Sequence, residues 1–287
     1  MSKLGNIGVG GKNPVRIMGI LNTSHESFYK KSIKTTKQQI THTIKQMEID
    51  GADFVDVGGM STAPYLSTLV SEKVETQRIL SAIKIIQNVS NLPISVDTCR
   101  ANVAKSVLES GVEIINDISG LKYDDKMIDV VKQYTPSLVL CAFNSNLVSG
   151  SVQSTQNLLQ DSIKIAKTAG IPSDRIVLDP AIGFFRKSGQ GAFFTKIKSD
   201  WLERDLLIIK NLNSIKKQFP LLISVSNKSF IGKLLGKENA SDRLFGSLAA
   251  EVVSVFNGAD IIRTHNVAET KDAVTIAAKL FGRHKGL

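Results

Sequence analysis

Eight short runs rich in aliphatic and β-branched residues alternate with eight longer stretches of helical periodicity along almost the whole chain. The strand-like runs fall at 16–21, 54–57, 94–97, 113–117, 137–142, 175–178, 221–225 and 260–264. The helical stretches fall at 36–50, 71–89, 101–109, 126–134, 155–169, 201–218, 240–257 and 268–281. Strands separated by whole helices pair in parallel, because a tight hairpin cannot join them. Eight such units in about 270 residues close into a barrel. The chain is therefore read as α/β, a single (β/α)8 (TIM) barrel over 15–287, with the glycine-rich 1–14 as an arm or a plug beneath it. A doubly wound open sheet is the alternative, but no dinucleotide glycine fingerprint follows the first strand. Gly8-Val9-Gly10-Gly11-Lys12 is not a phosphate loop, since Asn6 stands where its first glycine is required and Asn13 where it needs Ser or Thr. Gly51, Gly111, Gly170 and Gly258 close helical stretches where a left-handed cap suits a short loop.

In a barrel the C-terminal strand ends share one rim, and ligand-binding side chains project there. Read at that end, the strands give Asn22, Asp56, Asp97, Asn116-Asp117, Asp179, then Ser224-Val225-Ser226-Asn227-Lys228-Ser229, and Arg263 with His265. Each alone reads as a turn, a helix cap or a satisfied buried polar group. Gathered on one rim they define an active site. Asp97, Asn116 and Asp179 offer acceptors and an amide to a flat ring with adjacent N–H donors, such as a 2-amino-4-oxo pterin. Lys228, Arg263 and His265 are cationic or can become so, and Arg263 and His265, two apart, share a face. With Thr62 as a neutral donor they suit pyrophosphate. Asn22 can reach a Mg²⁺ whose other ligands are waters and phosphate oxygens. The loops after the first and sixth strands, 23–34 and 181–200, are long enough to serve as lids.

A formal charge of +10 admits an anionic substrate or a nucleic acid, but the lysines are scattered and form no compact basic motif, so no nucleic-acid partner is expected. No apolar run is long enough to cross a bilayer, and no basic-then-apolar leader opens the sequence. Two cysteines, Cys99 and Cys141, make no disulfide framework. A cytoplasmic protein with no membrane partner is expected.

In this order, these residues resemble the dihydropteroate synthase family. The resemblance is carried by Met18-Gly19-Ile20-Leu21-Asn22, Asp56-Val57-Gly58-Gly59 with Ser61-Thr62, and Ser95-Val96-Asp97-Thr98. It continues in Ile115-Asn116-Asp117-Ile118-Ser119-Gly120, Asp179-Pro180 with Ile182-Gly183-Phe184, and Ser226-Asn227-Lys228-Ser229-Phe230-Ile231-Gly232, ending at Arg263-Thr264-His265. It implies joining of 6-hydroxymethyl-7,8-dihydropterin pyrophosphate to p-aminobenzoate or a related arylamine, with release of pyrophosphate. Carried over by motif, Asp97, Asn116, Asp179 and Lys228 would hold the pterin, and Phe184 would line its edge. Asn22, Thr62, Arg263 and His265 would handle Mg²⁺ and pyrophosphate, and Ser229 the arylamine carboxylate. Asp97, Lys228, Arg263 and His265 would carry the catalysis, and the family's habit implies a homodimer through the last helices.

The chain also departs from the family pattern. The first loop reads Asn22-Thr23-Ser24-His25-Glu26-Ser27-Phe28-Tyr29, without the usual Asp-Gly-Gly end. Ala63 in Ser61-Thr62-Ala63-Pro64 replaces an arginine, Cys141-Ala142-Phe143-Asn144 replaces a Met-His segment, and Asn227 stands where Arg is usual. These changes point to a divergent member, with a modified arylamine as one reading. A pterin-dependent methyltransferase domain, which Asn227 fits, and a pterin-binding protein without catalysis are the alternatives.

Overall fold

The computed structural model describes residues 1–24, 33–64 and 69–282. It opens with a hairpin, β1 (Lys3–Leu4) and β2 (Ile7–Gly8), and then runs β3 (Arg16–Asn22), α1 (Lys37–Ile49), β4 (Phe54–Gly58), α2 (Glu72–Val89), β5 (Ile94–Asp97), α3 (Ala101–Glu109), β6 (Ile114–Asp117), α4 (Met127–Tyr134), β7 (Ser137–Cys141) and α5 (Val152–Thr168). There follow β8 (Ile176–Asp179), β9 (Phe185–Arg186), β10 (Thr195–Lys196), α6 (Trp201–Lys210), α7 (Leu212–Lys216), β11 (Leu222–Ile223), α8 (Ser229–Leu235), α9 (Leu244–Phe256), β12 (Ile261–Thr264) and α10 (Val267–Leu280). Eight parallel strands form one sheet in the order β11-β12-β3-β4-β5-β6-β7-β8, and a parallel bridge from Leu178 to Leu221 joins its edges into the expected barrel.

Side-chain caps set where the helices start. Thr36 and Gln39 form a reciprocal capping box before α1, and Ser71, Ser151 and Asp200 cap α2, α5 and α6. Gly51 (φ 83°) and Gly170 (φ 87°) follow α1 and α5 in the left-handed region that only glycine enters freely.

Where the elements differ from expectation, the causes are local. The stretch 201–218 breaks into α6 and α7 at Asn211, whose side chain turns back to bond the Leu207 carbonyl. The stretch 240–257 begins as a 3-10 turn, Ala240–Asp242, and only then becomes α9. The seventh barrel strand shortens to β11 because the chain turns after Val225 into α8, a helix of seven residues, too short to show periodicity.

Period-two alternation places the site. On the barrel strands Ile17, Leu21, Val55, Val57, Val96, Ile115, Leu138, Leu140, Ile176, Leu178, Ile223 and Ile262 pack outward against the helices. The alternate residues point inward, and at the N-terminal ends these are Met18, Phe54, Ile114, Val139, Val177, Leu222 and Ile261. Leu4 and Val9, from the first dozen residues, are buried in that same apolar cluster, so the hairpin closes the lower mouth of the barrel. Further along, the inward residues of seven of the eight strands become Asp56, Asp97, Asn116, Cys141, Asp179, Ser224 and Arg263, while β3 presents Ile20 and then Asn22. Apolar packing ends there and a polar layer begins.

Candidate active site

A cleft of about 760 Å³, part of it open to solvent, lies at the C-terminal rim. Its walls include Asn22, Thr62, Ala63, Asp97, Phe184, Ser226, Lys228, Ser229, Arg263 and His265. Of the residues singled out from sequence, Asn22, Thr62, Asp97, Phe184, Lys228, Ser229, Arg263 and His265 therefore meet in one space. Asn116 and Asp179 do not line its walls; both are buried and reach it through neighbours.

Asp56 is the hub of the floor. Its Oδ2 accepts from Arg263 Nε (2.6 Å) and from Asn116 Nδ2 (3.0 Å), while Arg263 Nη2 reaches Asp97 Oδ2 at 2.9 Å. Three side chains from β4, β6 and β12 thus converge, with Asp97 of β5 beside them. Asp56 Oδ1 is buried and has no partner among the described residues, which leaves an acceptor for an N–H donor from a bound molecule. Burial pushes the Asp97 carboxyl up to about 7; Arg263 opposes this, and Asp56 and Glu75 add to it. The same two carboxylates hold Arg263 firmly protonated, above its ordinary value despite burial.

Across the cleft, Asp179 ends β8 and accepts the Ala181 N–H at 2.7 Å. That turn is held from outside the barrel by Arg204, which donates to the carbonyls of Pro180 (2.7 Å) and Ala181 (3.2 Å) and pairs with Asp205 at 3.1 Å. Lys228 follows β11 and lies with its Nζ 4.0 Å from the Phe184 ring centroid. Desolvation brings it down to about 8, partly offset by Asp179. Gly183 has φ 89°, which favours glycine, and a Cβ there would press on the Lys228 stem at 3.0 Å.

His265 does not present a charge. Burial, then Arg263 and Lys228, press its pKa down to about 3, and its Nδ1 lies 3.1 Å from Ser226 Oγ. It faces the cleft as a neutral imidazole. Arg263, expected at the pyrophosphate, has its Nε and Nη2 committed to the two carboxylates of the floor, although it still lines the cleft.

Asn227 turns away from the cleft. It adopts φ 57°, a conformation asparagine tolerates, and its side chain packs on Ser247 of α9. Its presence therefore carries no information about the reaction. Asp117, at the end of β6, likewise faces the helices and caps the following turn through Ser119 and Leu121. His25 and Glu26 lie outside the described residues, as does most of the first long loop.

Three participants were given no role from the sequence. Asp56 was placed on the rim beside Asp97 but was not assigned a contact. Ser226 sits in the quoted run but acts through its contact with His265. Arg186, in the sixth-strand loop, had no local signal: β9 pairs in parallel with β10 and delivers it to Ser229 Oγ at 2.7 Å.

Residues 18–265 match the family of pterin binding enzymes. A dihydropteroate synthase of Clostridium beijerinckii is 34% identical, over 90% of this chain and 91% of its own. The structure of the Clostridium difficile dihydropteroate synthase determined in the presence of pteroic acid shares 30% identity, covers 98% of this chain and 99% of its own, and superposes with a TM-score of 0.82. That of Xanthomonas albilineans with 4-aminobenzoic acid shares 28% identity and 94% of each chain, with a TM-score of 0.81. Barrel and polar rim define a pterin-binding enzyme. Within that class the chain belongs to the dihydropteroate synthase family.

Proposed function

We propose that this protein condenses 6-hydroxymethyl-7,8-dihydropterin pyrophosphate with p-aminobenzoate or a related arylamine and releases pyrophosphate. The observation that carries this reading is the floor of the cleft, where Asp97, Lys228 and Arg263 line the wall and the buried Asp56, Asn116 and Asp179 lie directly behind them, Asp56 bonded to both Arg263 and Asn116. A donor-rich heterocycle satisfies those acceptors, including the one left over on Asp56. Its methylene then points toward Thr62, Asn22 and His265.

The bond that breaks joins the methylene carbon to the pyrophosphate oxygen, and the arylamine nitrogen replaces it and loses a proton. Positive charge develops on the pterin methylene and negative charge on the leaving group. Asp97 and Asp56 face the first of these; Lys228 and the neutral donors Thr62 and His265 serve the second. Arg263 holds the two floor carboxylates in register and keeps their charge from repelling.

Among the described residues no group of three or more His, Cys, Asp or Glu could hold a metal ion. Asn22 offers a neutral amide oxygen on the cleft wall, which would suit a Mg²⁺ held mainly by pyrophosphate oxygens and waters. When bound there it would neutralise charge on the departing oxygens. On the same reading the protein works in the cytoplasm as a homodimer, paired through the apolar outer faces of α9 and α10.

The test is pyrophosphate release from the pterin pyrophosphate with Mg²⁺, with p-aminobenzoate, its ribosyl phosphate derivative or no arylamine. Arylamine-dependent release is expected, and Asp179→Ala should lower kcat/KM by on the order of a hundredfold or more. Pterin binding without release for any arylamine would leave a non-catalytic binder and refute the synthase.

A further inference from the structure

The turn that follows β8 is built on a conformation its sequence does not favour. Ala181 has φ 57°, in the left-handed region where a Cβ crowds the backbone, and Gly183 follows at φ 89°. Such a conformation persists in alanine only where the surroundings over-determine it. Ala181 matters because its N–H donates to Asp179 Oδ1 at 2.7 Å and so aims the carboxylate. Burial raises the Asp179 carboxyl above its ordinary range, and that N–H is the largest of the contacts opposing the rise. With Ala181 relaxed, Asp179 loses its anchor.

Two adjacent residues of α6 hold the turn. Arg204 Nη2 donates to the Pro180 carbonyl at 2.7 Å and Nη1 to the Ala181 carbonyl at 3.2 Å, so one guanidinium gathers two successive carbonyls. Asp205 Oδ2 accepts the Gly183 N–H at 3.1 Å. Arg204 is itself fixed: it stacks 3.6 Å from the Phe185 ring centroid, pairs with Asp205 Oδ1 at 3.1 Å, and donates to Thr155 Oγ1 of α5 at 3.2 Å. Thr155 gives its own proton to the Ser151 carbonyl, which leaves its oxygen as the acceptor. Burial brings Arg204 down to about 10, so it stays protonated at neutral pH. It is 2% exposed and does not line the cleft. An apolar residue would pack α6 on α5 without desolvating a charge; only a forked donor gathers the two carbonyls.

We propose that Arg204 is a positioning residue for the pterin: it holds Ala181 in its left-handed conformation and, through it, the Asp179 carboxylate. This rests on the synthase reading and adds to it a residue outside the cleft on which pterin affinity depends.

The experiment measures kcat, KM for p-aminobenzoate and KM for the pterin pyrophosphate in the wild-type protein and in Arg204→Lys, Ala181→Gly and the double variant. Arg204→Lys keeps a charge beside Asp205 but cannot span both carbonyls. It should raise KM for the pterin pyrophosphate on the order of tenfold, while kcat and KM for p-aminobenzoate change less than about threefold. Ala181→Gly removes the strain, since glycine takes a positive φ freely. On top of it, the same Arg204→Lys change should raise KM for the pterin pyrophosphate by less than about threefold. A merely structural Arg204 would lower Tm and cost the same KM in either background. Thr155→Val, close in shape, loosens Arg204 without removing it and should raise the same KM about threefold, which keeps the assignment testable if Arg204→Lys does not fold. Calorimetric Kd for the pterin pyrophosphate should follow KM in every variant. An unchanged affinity in Arg204→Lys and Thr155→Val, or an equal loss with and without Ala181→Gly, would overturn the assignment alone. Absence of arylamine-dependent release in the wild-type protein would overturn the synthase reading, and the Kd series would still decide the role of Arg204.

Discussion

Asp97 and Lys228 face one cleft with proton affinities displaced toward each other, Asp97 up to about 7 and Lys228 down to about 8. Pterin binding needs Asp97 ionised to accept N–H bonds and Lys228 protonated to face the leaving group. For the pterin pyrophosphate, kcat/KM should therefore rise with pH to about 7 and fall above about 8. Asp97→Asn should remove the rising limb, and a flat wild-type profile between pH 6 and 9 would refute the pairing. Stability carries the opposite sign at Asp97. Its raised native pKa means the folded state keeps a proton that the unfolded chain has released, so its contribution is full below 3.8 and lost as pH rises through about 7. Asp97, Asn116, Asp179, Lys228 and Arg263 were legible because alternation and rim position depend on sequence alone. That Arg263 bridges Asp56 and Asp97 was not, since strands far apart in sequence meet only across the closed barrel. Neither was the neutrality of His265, which comes from burial and from its two cationic neighbours.

The alternation of strands and helices was legible along the chain because each barrel strand carries its own aliphatic face, and α1, α2, α5 and α6 each carry their own cap. Elements that depend on partners were not: β9 and β10 are two residues each, and they persist only by pairing with one another and by the bridge from Ile197 to Val148. Their loop does more than cover the barrel. At its tip the Gln190 and Gly191 N–H groups donate to the Pro64 carbonyl at 2.8 and 3.3 Å, tying the sixth-strand loop to the loop that carries Thr62 and Ala63. A Cβ at Gly189 would come within 2.6 Å of that carbonyl and 2.7 Å of the Phe194 ring, and a carbonyl of the main chain yields little. Gly189→Ala should therefore part the two loops and raise KM for the arylamine on the order of tenfold, because the second substrate enters where they meet. The barrel lies beneath this contact, so Tm should move by no more than about 2 °C. An unchanged KM would show that the tie does not shape the arylamine site.

At the scale of the whole molecule, the hairpin seals the lower mouth, so the rim is the open end of the barrel. The chain's formal charge of +10 favours the approach of an anion such as a pyrophosphate ester. Among the described residues no helix is long and apolar enough to cross a membrane. One surface remains to be accounted for. Along α9, Phe245, Ala249, Val253 and Phe256 recur at intervals of three and four and all face outward, which a solvated helix does not do. Ile276 and Leu280 on α10 continue the patch, at 62% and 76% exposure, and the Phe256 and Phe281 rings touch at 4.6 Å to join the two helices into one apolar face. Contiguous apolar surface of this kind marks an interface. The pattern within α9 and α10 is symmetric in kind, apolar on apolar, which suits an isologous contact between two copies. The protein should sediment at twice its 31.2 kDa at micromolar concentration. Phe256→Asp would bury two charges at the centre of such a contact, weaken association by about 3 kcal/mol or more, and yield the monomer. Because Phe256 is exposed in the single chain, the variant monomer should keep its fold and its Tm. A wild-type protein that stays monomeric at tens of micromolar would assign this face to a different partner.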